Sequence, residues 1–466
     1  MPGPPILQGP FSVPSFNGYI PRRLQPWLYL VIAFLFQFSA GIYGGAMPQV
    51  MGSQSLMRED VLMIVMCNVV GVNMPFPFLF RLKFRFTNRQ LLITAALVVG
   101  VCNVAIVHTQ SVVAMCIIAY VAGFFKLCGT FECMSNIQLW MTPKRDFTIF
   151  FPLLYCVVLG NMSLCPWVTE HLVYIYRDWR CMNYLMAGAM MTVALFLILT
   201  THNFRFMKPL PFVSLDWLGC ILWSLVMIEV IFFFNYGEFY NWMDSRVMQG
   251  CLFMIAMTLW LCIGRMLHIR HPYIAPAAWR YKRLVPLLIL FAFVEWMGST
   301  PKVLQTAFTS GVMHWGGLTT NVFNLIEWVA AIAGCLFCLL WIKVLHQKYT
   351  RLLTVGVAAM VAYPVMMYML IAPSLNIEAL YLPVFLRQFG NAIFFTTLTI
   401  YLEELMPFEH FFMGLTMAGL VRNGTVGTMC SGLYSLALRH QIADNMVRGL
   451  PYDMTGLMMI SIRQLY

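Results

Sequence analysis

The chain contains 466 residues, of which 61% are hydrophobic and only 10% are charged. A soluble domain is about half apolar and about a quarter charged, so this composition excludes soluble enzymes, disordered tails and secreted disulfide scaffolds. The formal net charge of +11 comes from 29 lysines and arginines against 18 acidic residues. Because the basic residues lie in short segments between apolar runs, this charge indicates membrane topology and gives no support for binding to nucleic acid.

Membrane-spanning helices are predicted from runs of about 20 mostly apolar residues. The first 26 residues are rich in proline, end before a run of full spanning length and predict a cytoplasmic N-terminal stub with no cleavable signal peptide. Thirteen apolar runs follow, at 27–48, 61–80, 90–107, 112–138, 148–170, 183–201, 214–234, 247–268, 284–306, 319–342, 350–371, 379–402 and 411–436. The sequence therefore predicts an all-α polytopic membrane protein with about 13 transmembrane helices.

The basic residues between the runs predict the orientation of the chain. With the N-terminus inside, the inner segments hold 18 lysines and arginines and the outer segments hold 8. Cytoplasmic segments carry the excess of basic residues, so we expect a multi-pass membrane protein with a cytoplasmic N-terminus. An odd number of helices then places residues 437–466 outside.

The sequence contains no pattern that is typical of a catalytic or metal site. Most of the 14 cysteines lie inside apolar runs, among them Cys335 and Cys338, which is typical of small buried hydrophobic residues, and the histidines are scattered, most of them near helix ends. We find no GxSxG, Walker loop, HExxH or dinucleotide-binding motif. We therefore expect no enzyme activity, no bound metal and no cofactor.

Several segments resemble the fourteen-helix drug:proton antiporter group of the major facilitator superfamily. They are DWRCMNYL at 178–185, LDWLG at 215–219, YGEFYNWMDS at 236–245, HPYI at 271–274, LRQFGNAIF at 386–394 and VRNGTVGT at 421–428, with PKRDFTIFF at 143–151 before the fifth run. Their order and spacing carry the resemblance. It covers residues 27–466.

The resemblance implies a major facilitator fold with two helix bundles and two helices inserted between them. The N-terminal six-helix bundle would cover 27–201, the inserted linker helices 202–283, and the C-terminal bundle 284–436, in which five helices are visible. Residues 437–466 would then be an outer loop leading to a missing fourteenth helix. Either the chain is a fragment or it has lost that helix.

The signature motifs of the group are altered in this sequence. Ser39 stands where the group has an aspartate in the first helix, and Phe125 stands at the arginine of the fourth helix. In the loop after the second helix, Arg85 and Arg89 match the motif while Phe84 replaces its aspartate. The resemblance implies that Arg85 and Arg89 form a gating loop, although positive-inside charge explains them as well.

Seven charged residues lie well inside the apolar runs, where each costs about 2.5–3.5 kcal/mol on insertion scales. Such residues face a bundle interior or a watery cavity. They are Lys126, Glu132, Glu229, Glu295, Glu327, Arg387 and Arg422. Glu295 lies near the middle of its run and is the first candidate for a proton site, with Glu132 and Glu327 as further candidates. The alternative for Glu295 is a structural ion pair with Lys126 or Arg387.

Polar residues on the same runs are candidates for lining a substrate cavity. Arg387 and Asn391 are four residues apart and share a helix face, which predicts either a site for an anionic or hydrogen-bonding substrate or a structural pair with Glu295. The full set of cavity candidates is Gln37, Ser39, Lys126, Arg387, Gln388 and Asn391.

The resemblance implies a proton-driven exporter of amphipathic or toxic small molecules that works by alternating access. Its partners would be a small-molecule substrate, protons and the lipid bilayer, with a periplasmic adaptor and an outer-membrane channel implied by the resemblance alone. The alternative is a non-transporting binding or sensor protein on a degenerate transporter scaffold. The altered motifs favour that alternative, and the composition is the same for both.

Overall fold

The computed structural model describes residues 16–17, 20–21, 23–39, 42–141, 147–203, 215–345, 348–372, 374–448 and 454–466. Ten helices in these ranges are long and apolar enough to cross a membrane. The basic residues of the charge count that lie outside the described residues are Arg22, Lys144, Arg145, Arg205 and Lys208. Successive long helices alternate in direction. We call the face at which the first helix begins the near face and the opposite one the far face.

The N-terminal bundle is built from nine helical segments that pack around α7 and α8. In chain order they are α1 Gln25–Phe38, α2 Ile42–Gly45, α3 Met47–Gln54, α4 Arg58–Asn73, α5 Leu79–Arg85, α6 Asn88–Val107, α7 Val112–Met141, α8 Phe147–Tyr176 and α9 Arg180–Thr200. α7 contacts α1, α4 and α6, and α8 contacts α1 and α2. The core between them is apolar and includes Phe36, Ile64 and Leu92, which are fully buried.

Two inserted helices and a C-terminal bundle follow. The inserted pair is α10 Trp217–Tyr236 and α11 Arg246–His268. The second bundle contains α12 Leu284–Thr306, α13 Gly317–Leu339, α14 Tyr349–Leu370, α15 Tyr381–Leu405, α16 Phe408–Gly419, α17 Gly427–Val447 and α18 Met454–Leu465. α15 packs against α12, α13 and α14, and the π-helical segment Leu420–Val426 joins α16 to α17 in one continuous rod. Eleven of the 13 predicted apolar runs coincide with a helix or a helical rod of this architecture, and the first two runs are divided.

The first predicted run, 27–48, is not one uninterrupted helix. α1 ends at Phe38, and the chain resumes as the short helices α2 and α3. The second run is also divided, because Pro75 and Pro77 lie between α4 and α5, and proline removes a backbone donor and clashes with the preceding turn. A hydropathy average does not detect such breaks, because it counts the apolar residues on both sides of a break equally.

The prediction of an outer loop for residues 437–466 is wrong for the described residues. α17 continues to Val447, and α18 packs against α17 and against the π-helical segment Ala307–Val312 that follows α12. Polar contacts hold the two helices together. The Asn445 amide donates to Ser461 Oγ at 2.9 Å and to Gln464 Oε1 at 2.9 Å. This polar packing explains why the segment does not resemble an apolar span.

Glycines set the closest helix contacts in the N-terminal bundle. A Cβ atom at Gly123 of α7 would lie 2.2 Å from the backbone oxygen of Asn68 in α4, and one at Gly71 would lie 2.1 Å from the backbone oxygen of Tyr120. Small residues allow helix backbones to approach in membranes, where packing takes the place of the hydrophobic effect. The contact between α4 and α7 therefore depends on both glycines.

We expect Gly123→Ala to lower the stability of the protein by about 1–3 kcal/mol, because the new methyl group overpacks a backbone contact. The measurement is the thermal unfolding midpoint in detergent. Gly188→Ala is the matched control, since a Cβ atom there meets nothing within 4 Å and alanine favours a helix by about 1 kcal/mol over glycine. Equal midpoints for the two variants would contradict the close contact.

Candidate functional site

The two bundles meet along α8, which contacts both α13 and α15. Among the described residues, buried side chains form hydrogen bonds across this boundary. Ser163 of α8 donates to Glu327 Oε2 of α13 at 3.4 Å, and the Tyr155 hydroxyl donates to Thr399 Oγ1 of α15 at 3.2 Å. Tyr155 also packs against Phe395, with ring centroids 4.5 Å apart. Polar contacts at a helix interface inside an apolar protein mark this boundary as the candidate site.

An ion pair between Arg387 and Glu327 lies on the C-terminal side of this boundary. The Arg387 side chain is 5% exposed and that of Glu327 is 9% exposed. Arg387 donates from Nη2 to Glu327 Oε1 and from Nη1 to Gln305 Oε1 at 2.9 Å. The guanidinium therefore connects three helices, because Gln305 belongs to α12, Glu327 to α13 and Arg387 to α15.

Two tyrosines extend this network. Tyr363 of α14 donates to Gln305 Oε1 at 3.1 Å. The centroid of the Tyr363 ring lies 5.2 Å from the guanidinium carbon of Arg387. The hydroxyls of Tyr363 and Tyr466 are 3.1 Å apart, so the residue that follows α18 also joins the network. The predicted cation Arg387 is thus enclosed by hydrogen-bond acceptors and aromatic rings.

A second ion pair joins α12 to the rod of α16 and α17. Arg422 Nε donates to Glu295 Oε2 at 2.8 Å, and the guanidinium lies 3.8 Å from the centroid of the Phe395 ring. Arg422 lies in the π-helical segment Leu420–Val426. π-helical turns are rare and frequently mark functional sites. The structure therefore pairs Glu295 with Arg422, whereas the sequence had suggested Lys126 or Arg387.

Lys126 is a buried cation of the N-terminal bundle. Its Nζ atom donates to Asn68 Oδ1 at 3.4 Å, and the residue is only 3% exposed. In the part of the chain that the structure describes, no carboxylate lies within ion-pair distance of Lys126. One helical turn after Lys126 on α7, Thr130 Oγ1 accepts a hydrogen bond from Gln37 of α1 at 2.9 Å. The described partner of Lys126 is therefore an amide oxygen.

Glu132 pairs with Lys83, which lies between the second and third predicted runs and is one of the 18 basic residues counted for the inner segments. Lys83 Nζ lies 3.2 Å from Glu132 Oε1 and donates to Ser135 Oγ at 2.5 Å, and both charged side chains are at most 5% exposed. α5 continues the second predicted run as far as Arg85. Lys83 therefore lies inside the N-terminal bundle, close to the face that we call near. Counting it as a loop charge was wrong.

The other candidates occupy less central positions. Ser39 donates to the Phe36 carbonyl and lines, with Asn68 and Asn103, a cavity of about 30 Å³ within the N-terminal bundle. Gln388 accepts a hydrogen bond from Asn391 at 3.4 Å.

The two gating-loop candidates lie at the near face. Arg89 donates from Nη2 to the Ile198 carbonyl at 2.7 Å, a contact within the N-terminal bundle, and Arg85 ends α5. This contact of Arg89 therefore connects α6 with α9 within the N-terminal bundle.

One solved structure with high similarity to this chain is described as the crystal structure of an auto-inhibited POT family peptide transporter. The TM-score is 0.55 with 14% sequence identity, and the match covers 94% of each chain. The chain has the major facilitator fold. At this identity the similarity to a peptide transporter concerns the fold alone. No protein-family model matches the chain, and no curated protein matches it.

Both ion pairs of the C-terminal bundle lie beside the boundary with α8, because Glu327 contacts Ser163 and the Phe395 ring under Arg422 packs against Tyr155. The sequence analysis missed Ser163, Gln305 and Tyr363, which complete the Arg387 network. Uncharged polar residues are common in apolar helices, so no signal in a single sequence distinguishes these three. A weak signal for the burial of Lys83 was present in the sequence, since apolar residues flank it on both sides.

We expect Glu327→Leu to lower the stability by about 3–5 kcal/mol, because it leaves the Arg387 guanidinium buried without its counter-charge. The double variant with Arg387→Met should recover most of that loss, since an apolar pair of similar volume replaces the ion pair. Thermal unfolding in detergent measures both. Arg439→Met is the control, because Arg439 is 63% exposed and such a pair contributes about 1 kcal/mol or less. Additive losses in the double variant would show that the two residues do not act as a pair.

Proposed function

We propose that this protein is a secondary active transporter that moves a small molecule across the membrane by alternating access between its two bundles. The observation that carries the proposal is the Glu327 carboxylate, which pairs with Arg387 and also accepts a hydrogen bond from Ser163 of the other bundle. Ionisable groups inside a membrane are costly and usually functional. The major facilitator fold supports the same conclusion.

Protons are the proposed coupling ion. Protonation of Glu295 or Glu327 removes the negative charge that holds Arg422 or Arg387, so each ion pair weakens when its carboxylate binds a proton. At Glu327 the same event alters the contact with Ser163 and hence the boundary between the bundles. Proton binding therefore has a direct route to the relative stability of the two transport states. Glu132, paired with Lys83 near the near face, is the third proposed proton site.

The proposed substrate is an amphipathic small molecule with an anionic or hydrogen-bonding group. Lys126 supplies a buried positive charge, and the cavity candidates on α1 and α15 supply polar contacts. Aromatic rings at the boundary, such as Tyr155 and Phe395, offer apolar contact area. The arrangement is typical of a pocket that is mostly apolar with a few polar groups that fix orientation.

The direction of transport is proposed to be export in exchange for protons, on the basis of the sequence resemblance to drug:proton antiporters. The basic segments at the near face support a cytoplasmic near face and an inner-membrane location. A periplasmic adaptor and an outer-membrane channel belong to the same proposal, because they follow from the resemblance.

We expect Glu295→Gln and Glu327→Gln each to reduce proton-driven accumulation of a dye in inside-out membrane vesicles by about tenfold, the size of a typical coupling between two ligands. Ethidium serves as an amphipathic cation and fluorescein as an amphipathic anion. Glu378→Gln makes the same chemical change at an exposed position on the far face and should leave accumulation unchanged. A protonophore should abolish accumulation by the wild-type protein.

Each outcome of this assay separates one part of the proposal. Unchanged accumulation in Glu295→Gln at equal membrane levels would remove Glu295 as a coupling site. If wild-type vesicles accumulate neither dye nor any other amphipathic probe, the transporter proposal fails and the binding or sensor protein becomes the better description.

Lys126→Gln should reduce accumulation of fluorescein by about tenfold, because a hydrogen bond to a charged group contributes about 1.5–3 kcal/mol. Accumulation of ethidium should change little, since a cation gains nothing from a buried ammonium group. Arg246→Gln, an exposed basic residue at the start of α11, is the matched control for loss of a positive charge. An equal loss for both dyes would assign Lys126 a structural role.

A further inference from the structure

The inserted helices α10 and α11 form a stiff hairpin that is held together along its length. At the near face, the Asp216 carboxylate caps α10 by accepting from the Gly219 amide at 2.9 Å and pairs with Arg265 of α11 at 2.7 Å. At mid-height, Thr258 of α11 donates to Glu229 of α10 at 2.6 Å. The two helices therefore move together when either end is displaced.

The hairpin is attached to the N-terminal bundle near both ends of α10. At the far face, Tyr236 donates to Asp60 Oδ1 at 2.5 Å, and Asn235 donates to the Glu59 carbonyl at 2.7 Å. Toward the near face, the Tyr273 hydroxyl donates to the Met74 carbonyl at 2.8 Å. Burial raises the pKa of Tyr273 well above its usual range, so this hydroxyl remains a donor.

The same hairpin contacts the C-terminal bundle near its far-face turn. Glu238, two residues after α10, accepts a hydrogen bond from Ser435 Oγ at 2.6 Å and lies 3.7 Å from Arg439 Nη1. Below this contact the backbones touch, because a Cβ atom at Gly432 of α17 would lie 2.6 Å from the Phe234 carbonyl oxygen. α10 therefore bridges α4 of one bundle and α17 of the other.

We propose that Glu238 is the releasable half of a clamp that holds the far ends of the two bundles together. The inference rests on the proposed function, because it requires the bundles to separate at the far face during transport. The hairpin has anchors to the N-terminal bundle at both ends and polar contacts to α17 at the far-face turn. Separation of the far ends then breaks the Glu238 contacts and leaves the hairpin on the N-terminal bundle.

The exposure of the residues agrees with a contact that opens and closes. The side chain of Glu238 is 41% exposed and that of Arg439 is 63% exposed, so water replaces the lost partners when the clamp opens. The buried pairs of the candidate site have no such access. The clamp thus favours the state in which the far ends of the two bundles are in contact. Opening it costs little free energy, because water replaces the lost partners.

Hydrogen–deuterium exchange of the full-length protein in lipid nanodiscs tests the clamp. We expect Glu238→Gln to speed amide exchange in the far half of α17 and in the turn at 237–245 by about tenfold, because a hydrogen bond to a charged group is weakened. Gly432→Ala should act in the same direction through the backbone contact. Glu378→Gln is the matched control and should leave both segments unchanged.

A double variant that swaps the charges of Glu238 and Arg439 tests whether the contact can be restored. Glu238→Arg combined with Arg439→Glu restores an ion pair and places a hydrogen-bond donor near Ser435. The rate of amide hydrogen exchange in α17 should then return to within about twofold of the wild-type rate. Wild-type exchange rates in both Glu238→Gln and Gly432→Ala would overturn the clamp. Faster exchange in those variants, combined with no dye transport by the wild-type protein, would keep the contact between the hairpin and α17 and remove its role in transport.

Discussion

The constraint on which this structure depends is the cost of a charge inside an apolar helix bundle. A buried charge needs a counter-charge and hydrogen bonds, since its desolvation outweighs what an incomplete geometry returns. Arg387 meets this requirement with groups from α12, α13 and α14, and Arg422 does so with Glu295 and the Phe395 ring. Because the partners come from helices far apart in the chain, each cation fixes the relative rotation of its neighbours. The same interactions that position the C-terminal helices therefore create the sites that protonation can disturb.

The two bundles satisfy this constraint differently. In the C-terminal bundle the central arginines are matched by carboxylates, while in the N-terminal bundle Lys126 has an amide oxygen and Glu132 turns toward Lys83 at the near face. The centre of the N-terminal bundle thus keeps a positive charge, and the centre of the C-terminal bundle keeps charge pairs. In the proposed transporter, this asymmetry would place substrate binding mainly in the N-terminal bundle and proton coupling mainly in the C-terminal bundle.

Most of the long helices and their order could be predicted from the sequence, because burial in lipid requires long apolar runs whatever the tertiary contacts are. The candidate charges could be found for the same reason. Their partners could not, since which residue faces Glu295 depends on how α12 and the rod of α16 and α17 are rotated against each other. The polar segment after residue 436 was misread because α18 is held by Asn445, Ser461 and Gln464, whose polarity resembles a loop when the helix that they contact is unknown.

The π-helical turn at Leu420–Val426 links the candidate site to the inserted hairpin. A π turn contains an extra residue and so rotates everything that follows it on the same rod. Arg422 faces Glu295 of α12, whereas Gly432 and Ser435, farther along the rod, face α10 and Glu238. One rod therefore carries an interior ion pair on one side and the hairpin contact on another. A displacement of the rod that lengthens the Glu295–Arg422 pair also shifts Gly432 against the Phe234 backbone, so the two contacts constrain each other through a rigid element.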